Sequence, residues 1–257
     1  PKDERMGTMA DGLIFSNLLM IVLNMTAIHI SPQAGLGLSM LALGGAFLLA
    51  LRLPDESAPE ATPPSRQEGV YPSKAGPLAF LCLFVVVISI NSGLMYQVQG
   101  PAFSHLEWLA SWYWAVPYIA ALFIMRNLPR KTNRAYILYV AIAMIGLSFI
   151  AFLALGRSWT DYLVVNTLML GACGVYDLFW WSILGEMLEL HKNPAVIMGV
   201  GLSANVLGVL LGGLIGNAVA SGQSHTPTLL ALGVVCVTLV LLPPLHKRLT
   251  TLLKNHA

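Results

Sequence analysis

Eight apolar stretches, nearly all long enough to cross a bilayer as helices, occupy most of this 257-residue chain. They run over residues 9–30, 36–53, 78–98, 106–125, 136–155, 162–190, 195–220 and 229–245, and are designated spans A to H. A helix needs roughly 20 apolar residues to traverse the hydrocarbon core. Span B is marginal at about 18 residues, and the others are near or above the required length. In hydrocarbon each backbone N–H and C=O must be satisfied within its own segment, and these continuously apolar spans lack the alternation of a barrel strand. The expected fold is therefore all-α, a polytopic helical membrane protein with about eight transmembrane helices.

The loops alternate between carrying Lys or Arg and lacking them. Lys2 and Arg5 precede span A, and Arg52, Arg66 and Lys74 belong to the B–C connection. Arg126, Arg130, Lys131 and Arg134 lie between D and E, Lys192 between F and G, and Lys247, Arg248 and Lys254 after H. Only Arg157 falls on the opposite side, so thirteen of the fourteen basic residues share one side. The positive-inside rule then places both termini in the cytoplasm, an N-in/C-in topology.

With 56% hydrophobic and 10% charged residues, the composition excludes an ordinary soluble domain, in which about a quarter of residues are charged. The net charge of +2 resides in the basic loops. It reports orientation, and no nucleic acid is expected to bind this chain itself. Cys82, Cys173 and Cys236 each fall inside a span and read as small hydrophobes without metal-ligand spacing. No cofactor or metal is expected. Asn24-Met25-Thr26 matches a glycosylation sequon but lies within span A, out of a transferase's reach.

Residues 54–76 mix Pro54, Pro59, Pro63, Pro64 and Pro72 with Asp55, Glu56, Glu60 and Glu68. Such a segment cannot bury enough apolar surface to fold and reads as a cytoplasmic linker. It divides the chain into a two-helix part, 1–53, and a six-helix part, 77–257.

Two local features accompany this two-plus-six arrangement. Span G carries Gly199, Gly201, Gly208, Gly212, Gly213 and Gly216 in IMGVGLSANVLGVLLGGLIG, and the D–E loop reads MRNLPRKTNR. With the cytoplasmic linker, they resemble the C-terminal half of a major facilitator superfamily transporter. The resemblance implies a partial fold of that family, with C to H as its C-terminal half and A and B as the last two helices of the N-terminal half. It implies that the other N-terminal transmembrane helices are partners missing from this chain. The loop departs from the family pattern at Met125 and Pro129, which stand where an acidic residue and a glycine are usual. The family's three-plus-three repeat leaves no visible trace in the residues.

The run GEMLELHKNPAVIMGVGLSANVLGVLLGG and the tail LTTLLKNHA also resemble membrane domains of this kind that precede a LuxR-type helix-turn-helix in some bacterial regulators. That resemblance implies a bacterial cytoplasmic membrane. It also keeps a second function open, a ligand-sensing domain whose DNA-binding part lies outside this chain.

The residues able to carry chemistry are the polar ones deep in spans. Asp177 lies near the middle of span F, where an ionised carboxylate costs roughly 3 kcal/mol to insert. It must face protein or water, as a proton-titratable or cation-binding carboxylate or as a structural group bonded to Asn205 or Asn91. At about 100° per residue, Asn166, Cys173, Asp177 and Trp181 fall on one stripe of span F, with Trp180 beside it. Asn17 and Asn24 share a face of span A, and Asn91 and Asn205 sit at comparable depths in C and G. These amides either bind a polar solute or join helices. Gly208, Gly212 and Gly216 form a GxxxGxxxG row suited to close helix packing. Trp108, Trp112, Tyr113, Trp114 and Tyr118 form either an interfacial belt or a stacking wall for an aromatic or cationic ligand.

Glu186, Glu189 and His191 end span F and can pair with the basic D–E loop, Arg130 included, as a gate. Solvated charges at a loop end are the plainer alternative, and one His without zinc spacing argues against a metal. Tyr176-Asp177 resembles the YD pair of intramembrane aspartyl proteases, but the GxGD partner is absent, as are GxSxG, HExxH and phosphate-loop motifs. No enzymatic activity is expected. The function expected is small-molecule transport by alternating access, with Asp177, Asn91, Asn166, Trp181, Asn205 and Asn24 near the solute or proton and Glu186 and Arg130 as gate. The expected partners are the lipid bilayer and a small-molecule ligand whose identity these residues leave open.

Overall fold

The computed structural model describes residues 2–27, 29–52, 75–128, 134–188, 194–220 and 226–254. Among them every regular element is helical. Eight helical stretches are long and apolar enough to cross a bilayer, as in a multi-pass membrane protein. Helices α1 (Lys2–Ala27) and α2 (Pro32–Ala50) correspond to spans A and B. Span C is α3 (Ala75–Leu94), a π-helical turn (Met95–Gln99) and the short α4 (Gly100–Ala102). Span D is α5 (Glu107–Tyr113) and α6 (Ala115–Arg126), and E to H are α7 (Arg134–Ala154), α8 (Trp159–Met187), α9 (Pro194–Ala220) and α10 (Thr226–Lys254).

Two spans expected as single helices are interrupted, and proline accounts for both. Pro101 has no N–H to donate to the carbonyl of Gln97, and its ring crowds that carbonyl. The helix widens into a π turn immediately before it, with the Gly100 N–H reaching back to Met95 O. In span D, Pro117 likewise withholds a bond from Tyr113, and the helix breaks at Trp114. Helix starts follow local chemistry. Ser31 caps α2 ahead of Pro32, its Oγ accepting the Ala34 N–H at 3.3 Å. Ser158 and Asp161 form a reciprocal capping box at the start of α8.

The chain forms two compact units, Pro1–Ile21 with Lys74–Ala257, and Val22–Ser73. The division therefore falls inside α1, and most of the expected linker lies outside the described residues. In the smaller unit, α2 presents Leu36, Met40, Leu41, Phe47 and Leu49 outward. Within the larger unit the first half of α1 is well anchored. Ala10 is fully buried, Met9 sits over Gly185 of α8, and Asp11 pairs with Arg126 through two contacts of 2.7 and 2.9 Å.

The principal helix packings of the larger unit are α3 on α9 and α10, α8 on α6 and α7, and α7 on α10. This set is unchanged when the first three spans are exchanged for the last three, with α3 for α8, α6 for α9 and α7 for α10. The exchange turns α3·α9 into α8·α6 and α3·α10 into α8·α7, and returns α7·α10 to itself.

Both members of the first pair are close approaches made by glycine. A Cβ at Gly208 or Gly212 would strike the carbonyl oxygens of Val86 or Ile90 on α3, and at Gly216 it would lie 2.8 Å from Gln97 Cβ. A Cβ at Gly174 of α8 would lie 2.7 Å from Tyr118 O and 3.1 Å from Ala121 Cβ on α6. Apolar helices in lipid gain little from mutual burial, so such contacts of small residues hold the bundle together by van der Waals packing.

Candidate functional site

Helix α8 presents Cys173, Asp177 and Trp181 at helical spacing, with α6 packed along it and α3 touching it more lightly. Gly174 allows the α6 backbone to approach, which brings Tyr118 onto Asp177. The Tyr118 hydroxyl donates to Asp177 Oδ2 at 2.8 Å, and Trp180 Nε1 donates to Oδ1 at 3.0 Å. Both donors are neutral. No Lys or Arg is placed against this carboxylate among the described residues.

Asp177 and Trp181 are half-buried, whereas Trp180 is fully enclosed. The two indoles stack with centroids 4.8 Å apart and planes at 22°. Tyr96, from the π turn, is largely exposed and lies within electrostatic reach of Asp177 and Cys173. One turn deeper, the Ser92 hydroxyl and the Tyr176 hydroxyl share a hydrogen bond that ties α3 to α8. The result is a half-buried Asp at mid-helix, set among two tyrosines and a stacked tryptophan pair, with only neutral donors on its carboxylate.

The amides proposed as partners of Asp177 serve elsewhere. Asn205 Oδ1 accepts from Ser89 Oγ at 2.7 Å, joining α9 to α3. The Asn91 side chain bonds back to Ile88 O at 3.3 Å, and its buried Oδ1 has no partner among the described residues. Asn166 is also buried and bonds back to Tyr162 O at 3.1 Å. Asn17 does the same with Leu13 O at 2.7 Å. Asn24 belongs to the smaller unit and is half-buried there. Of the gate residues, Glu186 is half-buried near the end of α8, whereas Arg130, Glu189 and His191 lie outside the described residues.

The aromatic group of span D divides at the break. Trp108 is exposed, and Trp108, Trp112 and Tyr113 make successive edge-on contacts at 5.6 and 5.8 Å. Tyr118, beyond the break, is buried against α8 as the principal ligand of Asp177, so it belongs to the site and not to an interfacial belt. Tyr96 and Ser92 are polar neighbours of the site that the sequence did not single out, whereas Tyr118 was expected only within the aromatic group of span D. Tyr118 carried a signal in the sequence, a polar side chain directly after a span's proline, Pro117. Gln99 is buried, donating to Ser148 Oγ at 3.3 Å, while its side-chain carbonyl oxygen has no partner among the described residues. No group of three or more His, Cys, Asp or Glu side chains is arranged to hold a metal among the described residues. Set against protein-family models, curated proteins and solved structures, the chain matches none of them.

Proposed function

We propose that this chain is the membrane domain of a small-molecule transporter of the major facilitator type, working by alternating access, with Asp177 at the centre of the solute or proton path. The observation that carries this reading is the carboxylate itself. An ionised Asp in mid-span is costly, and two neutral donors satisfy about half of its acceptor sites without cancelling its charge. A purely structural Asp is expected to face an Arg or Lys, or to be fully enclosed by donors. This one accepts from two neutral donors and has no cationic side chain against it among the described residues.

The packing of the six spans adds support. Three spans are an odd number, so a second set of three that packs like the first crosses the membrane in the opposite sense. This is the arrangement of inverted repeats within each facilitator half. Sites in such folds lie near the bilayer midplane, on the helices around which the repeats are related. In this unit α3 and α8 are exchange partners; the π turn that continues α3 supplies Tyr96, and α8 supplies Asp177.

Cysteine accessibility tests the proposal without knowledge of the substrate. Trp181→Cys is introduced into the gene, with Cys82, Cys173 and Cys236 replaced by Ser. Labelling by a membrane-impermeant maleimide is then compared in right-side-out and inside-out vesicles. Alternating access predicts labelling from both sides. Labelling from one side only would overturn transport and favour a ligand sensor.

A further inference from the structure

We infer that the Asp177 site selects an organic cation with an apolar or aromatic body, such as a quaternary ammonium or phosphonium compound. The inference deepens the reading of α8 as the solute-binding helix and rests on it.

Charge is the first reason. Asp177 accepts from two neutral donors and faces no cationic side chain among the described residues, so a ligand that brings a positive charge supplies the missing counter-charge. An anionic ligand would instead meet uncompensated repulsion in a medium that screens poorly.

The walls are the second reason. Trp181 stands one turn from Asp177 on the same face of α8, and its ring is fixed by stacking on the buried Trp180. Trp180 is fixed in turn by its bond to Asp177. The outer indole face is thus held in place, and indole is the side chain whose face attracts cations most strongly. Tyr96 adds a second, largely exposed ring from the π turn.

Donors are the third reason. The Tyr118 and Trp180 hydrogens are already used on the carboxylate. The lining therefore offers a cation a charge and ring faces, and leaves few donors for a sugar or a carboxylic acid. A small hydrated metal ion is disfavoured for a related reason, because it requires several oxygen ligands and the site supplies one carboxylate among rings.

The test uses tetraphenylphosphonium as probe and tetraphenylborate, its anionic counterpart of the same size and shape, as control. Binding is measured by equilibrium dialysis on the protein expressed from its own gene and held in lipid nanodiscs, against empty nanodiscs. The phosphonium is expected to bind saturably and the borate not to compete. Asp177→Asn should weaken phosphonium binding at least tenfold, while Asp177→Glu stays within about threefold. Trp181→Ala should weaken it several-fold, the range of one cation–π contact, and Trp181→Phe should recover most of the loss.

Equal binding of both ions would overturn the inference, as would unaltered phosphonium binding in Asp177→Asn or Trp181→Ala. If Asp177→Asn fails to fold, the Trp181 pair decides. The two readings fail separately. Phosphonium binding without labelling of Trp181→Cys from both sides would keep the cation site and remove transport. Two-sided labelling without phosphonium binding would keep transport and remove the cation site.

Discussion

Arg157 is the one basic residue on the side of the chain where the others are absent, and its surroundings neutralise it locally. Its Nη1 donates to the carbonyls of Phe152, Leu155 and Gly156 at 3.0, 3.3 and 2.7 Å, at the C-terminal end of α7. The guanidinium lies 4.0 Å from the Phe152 ring centroid, and the Arg157 carbonyl is bonded to His105 at 2.8 Å. A cation at a helix C-terminus interacts favourably with the helix dipole and satisfies carbonyls that have no intrahelical donor. Arg157→Ala is expected to destabilise the protein by about 1 kcal/mol, with Arg157→Lys recovering part of the loss because it keeps the charge without the planar fork. Thermal unfolding in detergent measures both, and an unchanged midpoint in Arg157→Ala would show that water serves those carbonyls equally well. Ser158 follows at once as the cap of α8, and Ser158→Ala should cost about 1 kcal/mol in the same assay.

Among the elements, the α3–α9 contact offers an internally controlled test. Gly212 and Gly213 are neighbours in sequence and in helix geometry, yet their surroundings differ. A methyl at Gly212 meets the Ile90 carbonyl oxygen and lies 3.0 Å from Gly93 Cα, backbone atoms that have no rotamer to adjust. At Gly213 a methyl meets nothing within 4 Å. Gly212→Ala is therefore expected to destabilise by about 1–3 kcal/mol, the usual cost of overpacking. Gly213→Ala should be neutral or gain up to about 1 kcal/mol from helix propensity. Unfolding midpoints of the two variants, measured side by side, decide it. Equal effects would mean that α3 and α9 adjust their separation freely. Gly174 in the α6–α8 contact should behave like Gly212, since a methyl there would lie 2.7 Å from Tyr118 O, on the residue that carries the hydroxyl ligand of Asp177.

At the scale of the whole chain, the packing of the six spans and the distribution of basic residues make a joint prediction. Exchange of α3, α6 and α7 for α8, α9 and α10 preserves the principal contacts. If the spans cross successively, the two triplets then have opposite orientation. The basic loops assign the direction. Reporter fusions after Arg66, Arg130 and Lys192 are expected in the cytoplasm, and fusions after Gln33, Gly100 and Gln223 outside it. An external signal at Arg130 would reverse the orientation of span D and overturn the direction assigned from the basic loops.

Span number and span type follow from composition and length, because a bilayer imposes one requirement on every segment that enters it: backbone polar groups must be paired locally. The glycine row of α9 was legible for the same reason, since its spacing defines a face whatever lies opposite. Asp177 was legible as a residue that must face protein or water, because its cost in hydrocarbon depends on depth alone. Its partners were not. Asn91 and Asn205 had the right depth and chemistry, but the rotation of α3 and α9 turned them to Ile88 O and Ser89. Tyr118 reached Asp177 because Pro117 broke span D at Trp114 and Gly174 let α6 settle against α8. The three-plus-three order left no mark in the residues because it is a relation between helix packings, and many side-chain sets satisfy the same packing. Local pairing rules thus determined the elements, and the rotation and approach of helices, set by prolines and glycines acting across the bundle, decided which polar groups met.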